Sequence, residues 1–291
     1  MPLTSAKEML QKATIENYCV GAFNFTSFVQ AKAIIKAAEE MNAPVILQTS
    51  VSPAKFYSPH MIVGAIKSLA NNSTIPICLH LDHCTDVDFC LECADAGYTN
   101  IMYDGSSLDF DKNIENTKRV TEYCHSIGNI SVEGELGTVM GVEDQIVVNE
   151  DDAALCPVDK VLEYVERSQV DLFAPAIGTA HGVYKTANPF IDLKRLKEIF
   201  TLLHKRDSIV PLVIHGGTGL QQSMVKQLIV NGGAKFNVST ELKHVLIDTT
   251  FNYLTGHPSE YNPGKLDKEV FNAHVEKISE WIGILGSGEK A

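Results

Sequence analysis

A (β/α)8 barrel of the α/β class is the fold this sequence predicts, and three observations predict it. Short apolar runs of strand length recur eight times along the 291 residues. Amphipathic segments of helical period lie between them, without a break in composition. No G-x-G-x-x-G follows the first strand, which disfavours a doubly wound open sheet. One such barrel takes about 250 residues, so 1–291 reads as a single domain with additions at its ends.

The elements follow in chain order. Residues 4–14 read as an extra helix closing the bottom of the barrel, and 20–25 as strand one. The segment 30–41, QAKAIIKAAEEM, spaces apolar residues by three and four, as a helix packed on a sheet does. Strand two is 44–50. Strand three, 75–83, runs apolar through Ile75-Pro76-Ile77-Cys78-Leu79 and stops on His80-Leu81-Asp82-His83. Alternate residues of a strand share a face, so His80 and Asp82 point one way and Leu81 the other. After a helical stretch at 86–96, strands four and five are 100–106 and 130–137.

The connection from Thr138 to Pro157 is abnormal, about twenty residues where loops beyond 12–15 are usually functional or disordered. A helix at 158–167, strand six at 171–178 and a helix at 192–204 capped by Asp192 come next. Strand seven is 210–217. The helix at 220–230 stops at Asn231-Gly232-Gly233, strand eight is 234–240, and a helix starts near Glu241. A helical extension at 267–282 ends the chain, with Gly283 as its stop.

Composition excludes several function classes. A net charge of −12 argues against nucleic-acid binding. No run of about 18 apolar residues spans a membrane, and the first residues lack the order of a signal peptide. A cytoplasmic protein is the expectation. Seven cysteines, odd in number and irregular in spacing, fit reduced thiols; Cys90-x-x-Cys93 has no second pair at zinc-ribbon spacing.

Barrel chemistry collects at the C-terminal strand ends, and every end here is polar or glycine. In order they give Asn24, Ser50, Asp82 with His83, Asp104, Glu133 with Glu135, Gly178 to Gly182, His215 to Gly219, and Asn237 to Thr240. His83, His181 and His215 therefore lie at one end of one barrel. Three imidazoles with an open fourth position make a catalytic zinc site, and Co²⁺ or Fe²⁺ also suits them. The other seven histidines, His80 among them, are read as structural. Gly182, Gly216, Gly217 and Gly219 with Asn237 to Thr240 read as a phosphate cradle at a helix N-terminus, to which Lys185 adds charge. A Lewis acid, a carboxylate and a phosphate cradle suit carbon-acid chemistry beside a carbonyl, in which the metal stabilises an enediolate and the carboxylate moves a proton.

HLDH, ELG followed by GVED, GTAHGVYK, VIHGGTG and KFNVSTELK occur in this order on separate strands. With them the sequence resembles the class II, metal-dependent ketose-bisphosphate aldolases over nearly its whole length. The resemblance implies reversible aldol cleavage of a ketose 1-phosphate or 1,6-bisphosphate of the fructose or tagatose type. The products would be dihydroxyacetone phosphate and an aldehyde such as glyceraldehyde 3-phosphate. It implies Zn²⁺ on His83, His181 and His215, and a second or alternative metal site at Asp104 and Glu135. Asp82 becomes the acid/base at the aldehyde-derived oxygen. Glu143, in the long connection, becomes the residue exchanging the proton on the dihydroxyacetone phosphate carbon. Gly182, Lys185, Gly216, Gly217, Thr218, Asn237, Ser239 and Thr240 would hold the 1-phosphate, with Asn24 and Ser50 as further substrate contacts. A monovalent cation, Na⁺ or K⁺, beside the phosphate loops and a homodimer or homotetramer are also implied.

The sequence departs from the family in two places. Ser239 stands where many fructose-bisphosphate members have Asp. Gly264 stands where many have an arginine that grips the far phosphate, and glycine cannot make that bidentate contact. Substrates with another far end, such as sulfofructose 1-phosphate or a deoxygluconate phosphate, therefore stay open. The rivals are a Schiff-base aldolase, for which Lys235 stands at the opposite end of strand eight, a metal-dependent barrel hydrolase, and a phosphosugar-binding protein.

Overall fold

A computed structural model describes residues 3–144, 146–149, 153–182, 184, 189–205 and 209–291. Its strands are β1 (Val20–Asn24), β2 (Val45–Thr49), β3 (Ile77–Cys84), β4 (Asn100–Tyr103), β5 (Ser131–Leu136), β6 (Met140–Glu143), β7 (Ile146–Val148), β8 (Leu172–Pro175), β9 (Ala180–His181), β10 (Leu212–Ile214) and β11 (Gly233–Val238). The helices are α1 (Ala6–Glu16), α2 (Phe28–Glu40), α3 (Val51–Tyr57), α4 (Pro59–Ala70), α5 (Val87–Ala96), α6 (Phe110–Ile127), α7 (Val161–Ser168), α8 (Leu193–Leu203), α9 (Gln222–Val230), α10 (Thr240–Gly256) and α11 (Pro263–Leu285). Eight strands close a parallel barrel in the order β1-β11-β10-β8-β5-β4-β3-β2. The predicted fold class is the observed one.

Period-two alternation decides what fills the barrel. Val20, Ala22, Ile46, Cys78, Leu172, Ala174 and Val213 meet Ala6, Met9, Leu10 and Ala13 of α1 in one apolar cluster. Helix α1 is therefore the expected plug at the bottom. A buried side chain such as Leu10 contributes about 1.5–3 kcal/mol. Polar contacts orient it: Lys7 Nζ lies 2.8 Å from Asp171, and the Ala6 N–H donates to Ser131 Oγ at 3.1 Å. Two residues further along the same faces the side chains turn polar, giving Asn24, Gln48 and His80, and two further again on β3 stands Asp82. An apolar floor thus carries a polar upper half.

Local chemistry sets the helix boundaries. Ser27 and Gln30 form a capping box that starts α2, and Asp86 caps α5, which stops at Gly97. All seven cysteines are free and buried, Cys90 and Cys93 included.

Two expectations need correction. The connection read as a loop holds a hairpin: β6 pairs antiparallel with β7, with Glu143 opposite Ile146, and parallel with β9. Asp144, which follows β6, has left-handed backbone (φ 52°), as tight hairpin turns require. The terminal helix does not stop at Gly283. It runs to Leu285 and ends at Gly286, the residue with left-handed backbone (φ 72°).

Candidate active site

The polar end of the barrel is shaped first by a bulge in β3. Its register with β4 shifts between Leu81 and Cys84, and His83 takes φ 48°. Left-handed backbone outside glycine is uncommon and marks functional positions. Here it lets Asp82 keep the inward face while His83 turns over the rim. His83 Nδ1 lies 2.8 Å from Asp104 Oδ2. His215, just past β10, places Nε2 at 2.9 Å from Glu133 Oε1. With each ring donating to its carboxylate, the remaining nitrogens, His83 Nε2 and His215 Nδ1, present lone pairs to each other at 2.7 Å. Two lone pairs cannot face each other without a proton or a cation between them. His181 closes the triangle from β9, its ring centre 4.8 Å from that of His83 and 5.8 Å from that of His215.

The surrounding charge asks for a cation. One ligand atom from each of His83, His181 and His215 lies within 4.8 Å of the others, and so does one from each of His83, Asp104 and Glu135. Asp82, Asp104, Glu133 and Glu135 are all buried, as is one ammonium, Lys235. Burial alone would push His83 down, but Asp82 and Asp104 raise it to about 10. Burial and then His83 push His215 down to about 4. Burial and then Asp104 hold Glu135 well above the usual carboxylate range, and Glu135 Oε2 is buried with no hydrogen-bond partner among the described residues. Imidazoles backed by carboxylates, beside an orphaned carboxylate oxygen, fit a divalent metal.

Asp82 sits on the floor beside this set. Its Oδ2 accepts from Asn24 Nδ2 at 3.1 Å and Gln48 Nε2 at 3.2 Å, and its Oδ1 from Asn237 Nδ2 at 3.3 Å. Burial alone would raise its pKa, but His83, His80 and Lys235 hold it well below the usual range. Gln48 was not among the predicted residues. It also donates to Asn24 Oδ1 at 2.6 Å, and its place two residues past the inward Ile46 is the signal that identifies it.

Asn24, Asp82, His181, Gly182, Gly216, Gly217, Thr218, Asn237, Ser239 and Thr240 line one small cleft. Gly216 has φ 69°, and a Cβ there would lie 2.4 Å from Ala180 O. Only glycine lets that backbone pass. Tyr184 tacks the turn down, its hydroxyl donating to Gly216 O at 2.6 Å and accepting from Ala180 N at 3.0 Å. Ser239 is the N-cap of α10, whose positive end opens onto the cleft. A second cleft, sharing His181, is lined by His83, Asp104, Ser106, Glu135, Val139, Gly141 and Val148. The β6–β7 hairpin forms part of its wall. Gly141 (φ 112°) makes this contact, since a Cβ there would lie 2.2 Å from His181 O.

The sequence-predicted residues are therefore brought together with three exceptions. Ser50 is the buried N-cap of α3 and lines neither cleft. Lys185 lies outside the described residues, as does the side chain of Glu143, whose backbone ends β6. Asp144 beside it accepts from the Ser52 N–H at 2.8 Å, tying the hairpin tip to the start of α3.

A sequence model described as class-II fructose-bisphosphate aldolase matches residues 4–290. A sulfofructosephosphate aldolase of Alkalicoccus urumqiensis is 35% identical over 291 residues, covering 100% of this chain and 99% of that protein. A fructose-bisphosphate aldolase of Staphylococcus aureus is 37% identical over 294 residues, covering 100% of both. The crystal structure of a putative fructose-1,6-biphosphate aldolase from Coccidioides immitis superposes with a TM-score of 0.88 at 26% identity, covering 99% of this chain and 98% of that one.

Proposed function

The chain belongs to the class II fructose-bisphosphate aldolase family, and from that membership we propose that it cleaves a ketose 1-phosphate or 1,6-bisphosphate in a zinc-dependent, reversible aldol reaction. The observation that carries the proposal is Asp82. It is fixed by three side-chain amides beside the converging His83 and His215 nitrogens, on the floor of a cleft walled by Gly216 and Ser239.

His83, His181 and His215 would hold the zinc, with Asp104 and Glu135 as a second or alternative site. When bound, the ion supplies Lewis acidity at the carbonyl next to the bond that breaks. Asp82, ionised, takes the proton of the carbon-4 hydroxyl as the carbon–carbon bond opens, and returns it in condensation. Glu143 exchanges the proton on the dihydroxyacetone phosphate carbon from the hairpin over the site. Gly182, Lys185, Gly216 to Thr218 and Asn237 to Thr240 hold the 1-phosphate, and a monovalent cation beside them would balance its charge. The amides of Asn24, Gln48 and Asn237 keep Asp82 aimed inward.

A second reading concerns the far end of the substrate. Gly264 is exposed at the start of α11, and Lys265 beside it pairs with Glu260. Neither provides the planar fork that grips a phosphate. A sulfonate or carboxylate end, as in sulfofructose 1-phosphate or a deoxygluconate phosphate, is therefore kept beside a phosphate end. Condensing dihydroxyacetone phosphate with a panel of aldehydes bearing each of these groups tests both readings. Product that disappears on chelation is expected, with the preferred aldehyde reporting the far end. No product from any aldehyde, or irreversible inactivation by borohydride with dihydroxyacetone phosphate, would overturn the metal-dependent reading.

Helix α10 buries Leu242 but exposes Ile247, Phe251 and Leu254 along one side, which supports a homodimer or homotetramer. Phe251→Glu is expected to lower the assembly state in sedimentation, and an unchanged state would count against this face. Seven buried, unpaired thiols support a reducing, cytoplasmic setting.

A further inference from the structure

We propose that Lys235 is a positioning residue for the metal centre, acting through Glu133 on His215. Lys235 lies on β11 and is fully buried, at 0% exposure. Its Nζ is 2.8 Å from Glu133 Oε2 and 3.2 Å from His80 Nε2. The other oxygen of Glu133 is the acceptor, at 2.9 Å, for His215 Nε2. An unbroken chain thus runs from a buried ammonium, through one carboxylate, to a ring of the three-histidine set. This inference rests on the metal-site reading given above.

The physical argument concerns what each partner would do alone. Glu133 is itself 0% exposed, and a carboxylate there needs both charge compensation and donors for its oxygens. Lysine can only donate, so its contact with Oε2 fixes which oxygen remains for His215. The carboxylate plane is then set by two bonds on opposite sides. An imidazole is turned by the partner of its second nitrogen, and such partners typically govern metal affinity by about 10- to 100-fold. The position of Lys235 does not suit it for Schiff-base chemistry. Its nitrogen is already bound to Glu133 and His80, beneath the cleft and absent from its lining.

The test uses two variants of the full chain, with zinc affinity measured by chelator competition and the visible spectrum of the Co²⁺-loaded protein. Lys235→Met strands the Glu133 charge and can fail to fold. The double variant Lys235→Met with Glu133→Gln removes both charges together and so decides the matter. Expected for the folded double variant is zinc affinity lower by about 10- to 100-fold, with an altered Co²⁺ spectrum. Its KM for substrate should stay near wild type while kcat falls. A folded double variant with wild-type zinc affinity and an unchanged Co²⁺ spectrum would overturn the proposal, leaving Lys235 a purely structural counter-charge. Zinc affinity is read without any substrate. A failure of the aldolase reading would instead appear as normal metal binding without cleavage of any ketose phosphate.

Discussion

Replacing Asp82 by asparagine separates chemistry from structure at one position. The two side chains have the same shape, so no cavity opens. The introduced amide could keep its oxygen where Oδ2 now accepts from Asn24 and Gln48, at 3.1 and 3.2 Å. Its NH₂ would then meet Asn237 Nδ2, 3.3 Å from the present Oδ1. That donor–donor contact has a local remedy. Asn237 Oδ1 is buried without a hydrogen-bond partner among the described residues, and turning the amide over presents it to the new NH₂. The hydrogen-bond part of the stability cost is therefore about 1 kcal/mol, the scale of one ordinary hydrogen bond, and losing the charge that His83, His80 and Lys235 face adds to it. Catalysis is affected differently, because an amide cannot take the hydroxyl proton. Losing a general acid/base lowers the rate by about 10²–10⁴-fold, or roughly 2.7–5.4 kcal/mol of barrier. Cleavage would be followed by release of dihydroxyacetone phosphate, stability by chemical denaturation, and zinc by metal analysis. Cleavage within tenfold of wild type, with zinc content and fold preserved, would refute the role given to Asp82.

His181→Ala should lower bound zinc and activity together, and unchanged metal content would count against the three-histidine site. Gly216→Ala forces a side chain into left-handed backbone, 2.4 Å from Ala180 O. It should cost about 1–3 kcal/mol and raise KM at least tenfold with zinc retained; an unaltered KM would remove Gly216 from the phosphate cradle. Asp171 accepts from Lys7, from His125 and from the Val132 N–H, at 2.8, 2.8 and 2.9 Å. Burial alone would raise its pKa, but these partners lower it. A carboxylate whose folded pKa is depressed contributes stability that is present above its unfolded pKa, about 3.9, and lost as pH falls through the folded value. Asp171→Asn should therefore be less stable than wild type by about 1–3 kcal/mol near pH 7. The gap should close as pH drops below about 4; a gap independent of pH would refute the linkage.

The barrel was legible because each strand carries its own apolar run and each end its own polar residue. His83, His181 and His215 could be grouped by topology before any distance was known. What stayed hidden depends on contacts between strands. Gln48 lies inside β2 rather than at its end, so reading strand ends passed it over in favour of Ser50, which instead opens α3. Lys235 looked remote because it starts strand eight, yet a lysine side chain spans the distance into the barrel and reaches Glu133. For His80, expected to support Asp82 from inside the barrel, the structure adds the bonds to Asn100 and Lys235. The hairpin after β5 escaped because β6 and β7 are short and β6 finds its second partner in β9, about forty residues onward. Short strands gain their stability from such partners rather than from local propensity.

The central claim is metal-dependent proton exchange and bond cleavage at the dihydroxyacetone phosphate half of the substrate. Its most direct test needs no knowledge of the aldehyde. Zinc-loaded protein and dihydroxyacetone phosphate in D₂O, followed by proton NMR, should show loss of one of the two carbon-bound protons beside the hydroxyl. That exchange should stop on chelation and return with zinc. Folded, zinc-loaded protein that exchanges nothing, or exchange that continues unchanged after the metal is removed, would contradict it.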